Sequence, residues 1–173
     1  MLSWWRAQTR IGRTASKIYG SIVAAARRRE FYADYGVPDT KEGRFAMLVV
    51  HMFLVLERLR QEGEQGAALS RATTEAFVTD MDDILREIGI GDLSVPRHVK
   101  QSTGALYDCV RQYREALGAK GEGALTEALE RTLLPDSRSV ASAVASYVRR
   151  AAEVIASAPA SSIIEGQFAF PSP

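Results

Sequence analysis

The chain has 173 residues, 46% hydrophobic and 25% charged, which is long enough for one globular domain and too short to favour two. Its single cysteine, Cys109, excludes an internal disulfide and a cysteine-based metal site, and favours a reducing compartment. No apolar run reaches the roughly 18 residues of a membrane-spanning helix. The longest, residues 45–56, contains His51 and suits a helix buried in a protein core.

The formal net charge of +1 is unevenly distributed along the chain. Residues 1–35 carry seven Lys or Arg and two acids, so +7 − 2 = +5, which leaves −4 for residues 36–173. Trp4 and Trp5 lie near the start of this basic segment. We expect residues 1–30 to be helical. Four interpretations stay open: a solvated basic helix, an interfacial membrane anchor, a polyanion-binding arm, and a mitochondrial transit peptide.

Apolar residues recur three or four positions apart along the whole chain, which is the helical pattern. In chain order the stripes are Ile11, Ala15, Ile18, Ile22 and Ala25; the run 45–56; Phe77, Met81, Ile84 and Ile88; Leu106, Val110, Tyr113 and Leu117; Leu125, Leu129 and Leu133; and Val140, Val144, Tyr147, Ala151 and Ile155. Each stripe must pack against a neighbouring helix to leave water. The pattern predicts an all-α, single-domain bundle of about six helices with short turns containing Gly and Pro.

Glycine, proline and capping residues divide the predicted helices. Gly36 and Pro38 end the first helix, and Asp39 or Thr40 caps the second, with Glu42 three residues after Asp39 as in a capping box. The later boundaries fall at Gly63 and Gly66, at Gly89, Gly91 and Pro96, at Gly118, Gly121 and Gly123, and at residues 134–137. The chain is thus predicted to consist of a basic segment 1–30, a helical domain 31–157 and an extended tail 158–173.

The segment 35–45, YGVPDTKEGRF, is richer in special residues than a connector requires. Turn geometry accounts for Gly36 and Pro38. It does not account for Gly43, because glycine costs about 1 kcal/mol relative to alanine within a helix. We therefore expect another group to pack closely on Gly43. We expect the neighbouring Arg44 to face a partner or to belong to a buried ion pair.

Histidine and acidic residues offer two routes to a metal or haem site. His51 lies in the most apolar helix, where a hydrogen-bonded core histidine is favoured over a haem ligand, since no Cys-x-x-Cys-His motif or second ligand accompanies it. His98, in a basic segment, is predicted to be exposed. Asp80, Asp83 and Glu87 share one side of a helix, but the Glu-x-x-His pairs of di-iron bundles are missing, which favours a solvated or partner-binding face.

Other catalytic patterns are also missing. Cys109 falls on the apolar side of its helix and is predicted to be a core thiol. Asp82 and Arg86, four residues apart, are predicted to form a helix-surface ion pair. No phosphate-binding glycine loop or dinucleotide fingerprint occurs. We therefore expect that this protein is not an enzyme. A helical metal- or haem-binding protein that uses His51 and the Asp80, Asp83 and Glu87 face stays as the alternative.

Two segments carry a family resemblance. YGVPDTKEGRFAMLVVHMFLVLERL at 35–59 and FVTDMDDILREIGIGDLSVPRHVK at 77–100 resemble the ubiquinol–cytochrome c chaperone family, the assembly factors for cytochrome b of respiratory complex III. The resemblance covers roughly residues 20–118. The chain departs from the family at residues 106–109, LYDC, where the family usually carries an aromatic-Gly-Arg step.

The resemblance implies a non-enzymatic chaperone without cofactors that holds newly made cytochrome b during assembly of ubiquinol–cytochrome c reductase. It also implies possible contact with the ribosome near its exit tunnel and with the inner-membrane surface through residues 1–30. The implied location is the bacterial cytoplasm, peripheral at the inner membrane, or alternatively the matrix face of the mitochondrial inner membrane. The matched positions assigned to partner binding are Tyr35, Gly36, Pro38, Asp39, Gly43, Arg44, Phe45, Asp80, Asp82, Arg86, Glu87, Gly89, Gly91, Asp92 and Lys100.

Overall fold

The computed structural model describes residues 2–119, 121, 123–132, 135 and 137–173, with side chains from residue 9 onward. These residues form helices and no strand, which confirms the all-α class. The helices are α1 (Leu2–Ala26), α2 (Arg29–Ala33), α3 (Lys41–Leu59), α4 (Gly63–Glu87), α5 (Val95–Gly118), α6 (Gly123–Thr132), α7 (Arg138–Ser157) and α8 (Ala160–Ile164). Six of these eight were predicted. The additional α2 and α8 have five residues each, too few to show a periodic stripe.

Helix α3 is the centre of the bundle. Every residue from 46 to 56 is buried, and the helix packs against α1, α4, α5 and α7. A helix that is apolar on all sides belongs in a protein core, as the sequence predicted. No helix in the described part of the chain combines the length and the apolar character needed to cross a membrane.

The second half of the basic segment belongs to the core. Ile18 and Ile22 are fully buried where α1 packs against α3 and α4. The Tyr19 hydroxyl donates a hydrogen bond of 2.7 Å to an Asp80 carboxylate oxygen. Removing residues 1–30 would therefore take apolar side chains out of the core. Only the exposed residues of α1 remain free to contact an anionic surface; the side chains of residues 1–8, Trp4 and Trp5 included, lie outside the described part.

The C-terminal segment 158–173 differs from the extended tail that composition predicted. It begins with α8, and Ile163 and Phe170 are both buried. The Arg28 guanidinium donates hydrogen bonds to the carbonyl oxygens of Phe170 (3.3 Å) and Pro171 (2.5 Å). The Phe170 ring packs edge-on against the His51 ring, with 4.9 Å between centroids. The tail is therefore docked on the bundle.

Replacing Arg28 with alanine will loosen this tail. We expect the free energy of unfolding to fall by roughly 1–2 kcal/mol, because hydrogen bonds from a charged donor to two carbonyl groups are lost. Amide hydrogen exchange in residues 165–171, followed by mass spectrometry, should become faster than in the wild-type protein. Arg29→Ala, which removes an exposed neighbouring arginine, is the matched control. Equal exchange in the Arg28 and Arg29 variants would contradict this role of Arg28.

The helix boundaries follow the expected residues with two corrections, at the capping box and at Gly66. Thr40, one of the two predicted caps, caps α3, and its hydroxyl oxygen accepts a hydrogen bond of 3.2 Å from the Gly43 amide. Glu42 is therefore the second helical residue, and the expected capping box is wrong because Gly43 occupies the third position. Helix α4 begins at Gly63 and continues through Gly66, which was expected in the turn. The predicted apolar position Leu133 and two residues of the predicted boundary 134–137, residues 134 and 136, lie outside the described part of the chain.

Candidate partner-binding site

The loop before α3 lies directly against the first turn of that helix. Gly36 takes a positive φ of 79°, a conformation that favours glycine, and Val37 is buried. A Cβ atom built on Gly43 would lie 1.9 Å from the carbonyl oxygen of Pro38. This confirms the expectation that another group packs closely on Gly43. The loop geometry therefore depends on a glycine at this position.

Arg44 and Asp39 form an ion pair across the same turn. Arg44 Nε donates to Asp39 Oδ1 at 2.7 Å, and this hydrogen bond lowers the pKa of Asp39. The two side chains are 62% and 58% exposed, so Arg44 does not belong to a buried pair. An exposed pair in high dielectric contributes little to stability. Both charges are therefore accessible to a partner at the start of α3.

The two resembling segments meet at this end of the molecule. The half-buried Phe45 ring lies 6.3 Å, centroid to centroid, from the buried Phe77 ring of α4. Asp80, almost one turn further along α4, accepts the hydrogen bond from Tyr19 of α1. The fold therefore places Phe45 of the predicted site beside Phe77, which lies three residues before Asp80 on α4.

Tyr35 contacts a different neighbour, the helix α7. Its ring packs edge-on against Phe31 at 5.6 Å, and its hydroxyl accepts a hydrogen bond of 3.2 Å from Arg150. The nearest atom to a Cβ built on Gly36 is also from α7, in Val140. Tyr35 and Gly36 therefore connect the loop to α7, and the structure does not bring them to Asp80.

The remaining predicted residues surround the turn between α4 and α5. Arg86 Nε donates to Asp82 at 2.6 Å, which confirms the predicted pair, and a second guanidinium nitrogen donates to Asp92. Gly89 has a positive φ of 83° and Gly91 faces open space. Glu87 and Lys100 are exposed. In the described part of the chain, no three His, Cys, Asp or Glu side chains are placed to hold a metal ion.

Beside this turn lie apolar side chains that the sequence analysis did not single out as site residues. Leu93 is 100% exposed, and Ile88 is 48% exposed although it belonged to a predicted buried stripe. The Ile88 prediction was wrong because α4 ends at Glu87, where the helical periodicity stops. The turn between α4 and α5 therefore exposes two large aliphatic side chains to solvent.

Arginines that the sequence analysis counted only as net charge line a cavity of about 480 Å³ beside Arg44. The lining residues are Arg27, Arg29, Tyr32, Ala33, Asp39 and Arg44. The sequence signal that could have indicated this cavity is the run of three arginines at 27–29. A count of charges alone does not show where these side chains lie in the fold. Sequence reasoning therefore found two of the six lining residues.

A second recess of about 380 Å³ lies among α3, α5 and α7. Its apolar lining includes Phe53, Leu117 and Ile155. Glu57 stands at its charged rim and accepts hydrogen bonds from Arg114 (2.5 Å) and Arg60 (2.7 Å). None of the predicted site residues lines this recess. The recess is thus apolar inside and charged at its rim.

His51 has the environment of a core histidine, as predicted. It is fully buried, its Nδ1 donates to the Met47 carbonyl oxygen at 2.7 Å, and its Nε2 accepts from the Tyr147 hydroxyl at 2.9 Å. Burial lowers the pKa of His51 to about 4. Protein groups occupy both ring nitrogens, so the observed arrangement leaves neither free for a haem iron. Cys109 is buried as expected, whereas His98 is half-buried and not exposed.

The fold defines an all-helical bundle with a buried, hydrogen-bonded histidine and with recesses that carry charged residues at their rims. The chain belongs to the ubiquinol-cytochrome C chaperone family, whose model matches residues 33–170. This confirms the resemblance. The crystal structure of the Cbp3 homolog from Brucella abortus is similar, with a TM-score of 0.87 and 33% identity, covering 99% of this chain and 96% of that one.

Curated animal relatives carry a corresponding name. Ubiquinol-cytochrome c reductase complex assembly factor 1 is 26% identical over 118 residues in both Mus musculus and Homo sapiens, and its Xenopus laevis counterpart is 25% identical over 120 residues. These alignments cover 68%, 68% and 69% of this chain. The chain spans 40%, 39% and 60% of the lengths of those relatives, less than two thirds in each case.

Proposed function

We propose that this protein is an assembly chaperone that binds newly made cytochrome b and supports assembly of ubiquinol–cytochrome c reductase. The observation that carries the proposal is the family match over residues 33–170, together with the assembly-factor names of the animal relatives. Cytochrome b as the client goes beyond those names and is our inference. The protein acts in this proposal by binding, without catalysis.

The client surface that we propose has an apolar centre and charged borders. The half-buried Phe45 lies next to the exposed Arg44 and Asp39 at the start of α3. The turn 88–94 adds the exposed Leu93 and Ile88. An unassembled membrane helix exposes an apolar surface, which such side chains can cover, while the charges favour its polar ends.

The other residues of the proposed site shape this surface. Arg86 bridges Asp82 and Asp92 and so holds the turn that presents Leu93. Gly89 provides the positive φ that ends α4. Within the proposal, Pro38 and Gly43 fix the loop before α3, Tyr35 and Gly36 connect that loop to α7, and Gly91, Glu87 and Lys100 border the turn 88–94.

The location in this proposal is the inner-membrane surface, on the cytoplasmic side in a bacterium or the matrix side in a mitochondrion. The exposed basic residues of segment 1–30 would meet anionic lipid or ribosomal RNA near the exit tunnel. Such contacts weaken as ionic strength rises. Flotation of the full chain with anionic vesicles, at low and high salt, measures its binding to a membrane surface. Absence of flotation at low salt would exclude the proposed contact with anionic lipid.

Leu93→Ser will weaken capture of the client. We expect the full-length tagged chain to recover about five- to tenfold less newly made cytochrome b from membranes, the effect of losing one well-buried apolar contact in an interface. Stability should change by no more than about 0.5 kcal/mol, because Leu93 is fully exposed. Val154→Ser, an exposed apolar residue of α7, is the matched control. Equal capture by the two variants would exclude the turn 88–94 from the client surface.

A further inference from the structure

We propose that the cavity beside Arg44 binds a phosphate group, either of a soluble phosphate compound or of an anionic lipid headgroup. The cavity is formed by the end of α1, by α2 and by the start of α3. This inference goes beyond the chaperone function and does not require a client protein. It rests on the placement of three arginines, on their charge balance and on the size of the cavity.

The arginines come from separate parts of the fold. Arg27 directly follows α1, Arg29 is the first residue of α2, and Arg44 lies in the first turns of α3. They surround Tyr32, whose hydroxyl donates to the Ala26 carbonyl oxygen at 2.8 Å. Burial raises the pKa of Tyr32, and the positive charges of Arg44 and Arg27 oppose that shift, as expected for guanidinium groups near the phenol. The tertiary structure therefore brings the three arginines together around Tyr32.

The charge of the lining is unbalanced. It contains the three arginines and one carboxylate, Asp39, so 3 − 1 = +2. Asp39 already pairs with Arg44, whereas the side chains of Arg27 and Arg29 have no ion-pair partner among the described residues. A phosphate monoester carries a charge of about −2 near neutral pH, which matches this excess.

Arginine chemistry and cavity size agree with a phosphate ester. A planar guanidinium donates two parallel hydrogen bonds to phosphate oxygens, a geometry that lysine cannot provide. The cavity of about 480 Å³ also leaves room for a substituent on the phosphate. Exposed large apolar side chains are found elsewhere, at Leu93, Tyr107 and Val154 for example, so recognition here is electrostatic.

The experiment titrates the full-length chain at low salt with inorganic phosphate, glycerol 3-phosphate, succinate and vesicles that contain phosphatidylglycerol. The double variant Arg27→Gln with Arg29→Gln should bind phosphate about tenfold more weakly or worse, because hydrogen bonds between charged groups are lost. For the soluble probes, Arg10→Gln with Arg13→Gln is the matched control. It removes the same charge from exposed residues of α1 that lie about 20–25 Å before Arg27 along the helix.

Asp39→Asn gives a test in the opposite direction. Removing the single carboxylate of the lining should tighten phosphate binding by about threefold or more, since it removes the repulsion between two negative charges, which is about 1 kcal/mol at 4 Å in bulk water. A gain of affinity cannot result from damage to the fold. Failure of Asp39→Asn to tighten binding would overturn the charge argument.

The probes separate the possible sources of the phosphate. Tight binding of glycerol 3-phosphate in solution supports a soluble phosphate ester, and binding only to the vesicles supports a lipid headgroup. Succinate binding as tightly as phosphate would overturn the phosphate assignment. The proposal also fails if the two double variants lose equal affinity, or if an RNA oligonucleotide binds while every phosphate probe fails at millimolar concentration.

Discussion

Gly43→Ala will lower the free energy of unfolding by roughly 2–3 kcal/mol, the upper part of the usual cost of overpacking a closely packed position. The new methyl group would lie 1.9 Å from the Pro38 carbonyl oxygen, and 3.0 Å from the carbonyl carbon. The clash is with backbone, so no side-chain rotation can relieve it. The loop before α3 must move, and with it Asp39. We therefore expect weaker client capture from a variant whose charge is unchanged.

Gly20→Ala is the control for the change in helix propensity. Gly20 is exposed within α1, and apart from its chain neighbours and the backbone of its own helix no atom lies within 4 Å of a Cβ built on it. Alanine there should stabilise the protein by about 1 kcal/mol. Urea denaturation at equilibrium measures both variants, with the midpoints moving in opposite directions. If the Gly43 variant gains stability as the Gly20 variant does, the Pro38 carbonyl group of the loop before α3 does not pack closely against Gly43.

The bundle could be predicted because helical periodicity is a local property. Ile18 and Ile22, or Tyr147 and Ile155, lie on one helix face whatever the rest of the chain does, and all four are buried. The same argument applies to Gly43. Its propensity cost is visible in the sequence, so a compensating close contact could be inferred before the contact was seen.

The docked tail could not be predicted, because its support comes from distant residues. Arg28 and Pro171 are separated by 143 positions, and nothing near either residue indicates the hydrogen bond between them. Phe170 is apolar within a segment rich in Ser, Pro and Gly, which is typical of an exposed tail. The burial of this ring depends on the space that α3 leaves beside His51.

Only part of the candidate site could be predicted, because contacts between distant residues are again not visible in the sequence. Matched motifs indicate residues that occur together, but they do not show which ones touch. Arg44 was found from its motif, whereas Arg27 and Arg29 reach it only through the turn between α1 and α2. The sequence also left Asp39 and Thr40 as alternative caps; Thr40 caps the helix, and Arg44 pairs with the Asp39 carboxylate.

Acid will destabilise the wild-type protein more than a His51→Gln variant. Burial lowers the pKa of His51 to about 4, and the charge of Arg28 contributes, although the hydrogen bond to the Met47 carbonyl opposes the shift. In the unfolded chain a histidine titrates near pH 6.5. Between these values the unfolded state binds a proton that the folded state does not, so the free energy of unfolding falls as the pH falls.

The size of the effect follows from the two pKa values. Between pH 7 and pH 5 the wild-type protein should lose roughly 2 kcal/mol through His51, and the loss should approach roughly 3 kcal/mol below pH 4. The measurement is the difference in unfolding free energy between pH 7 and pH 5, compared between wild type and variant. Carboxylates that titrate in both proteins cancel in this comparison.

His98→Gln is the matched control, because it removes the other histidine from a half-buried position and should retain the wild-type acid sensitivity. Glutamine at position 51 loses part of the bonding to Met47 and Tyr147, so its stability at pH 7 will be lower by about 1–3 kcal/mol. Its pH dependence, not its absolute stability, decides the question. If the His51 variant loses as much stability as wild type between pH 7 and pH 5, the imidazole is not held neutral by the core. The Phe31, Tyr147 and Phe170 rings around it would then have to admit water.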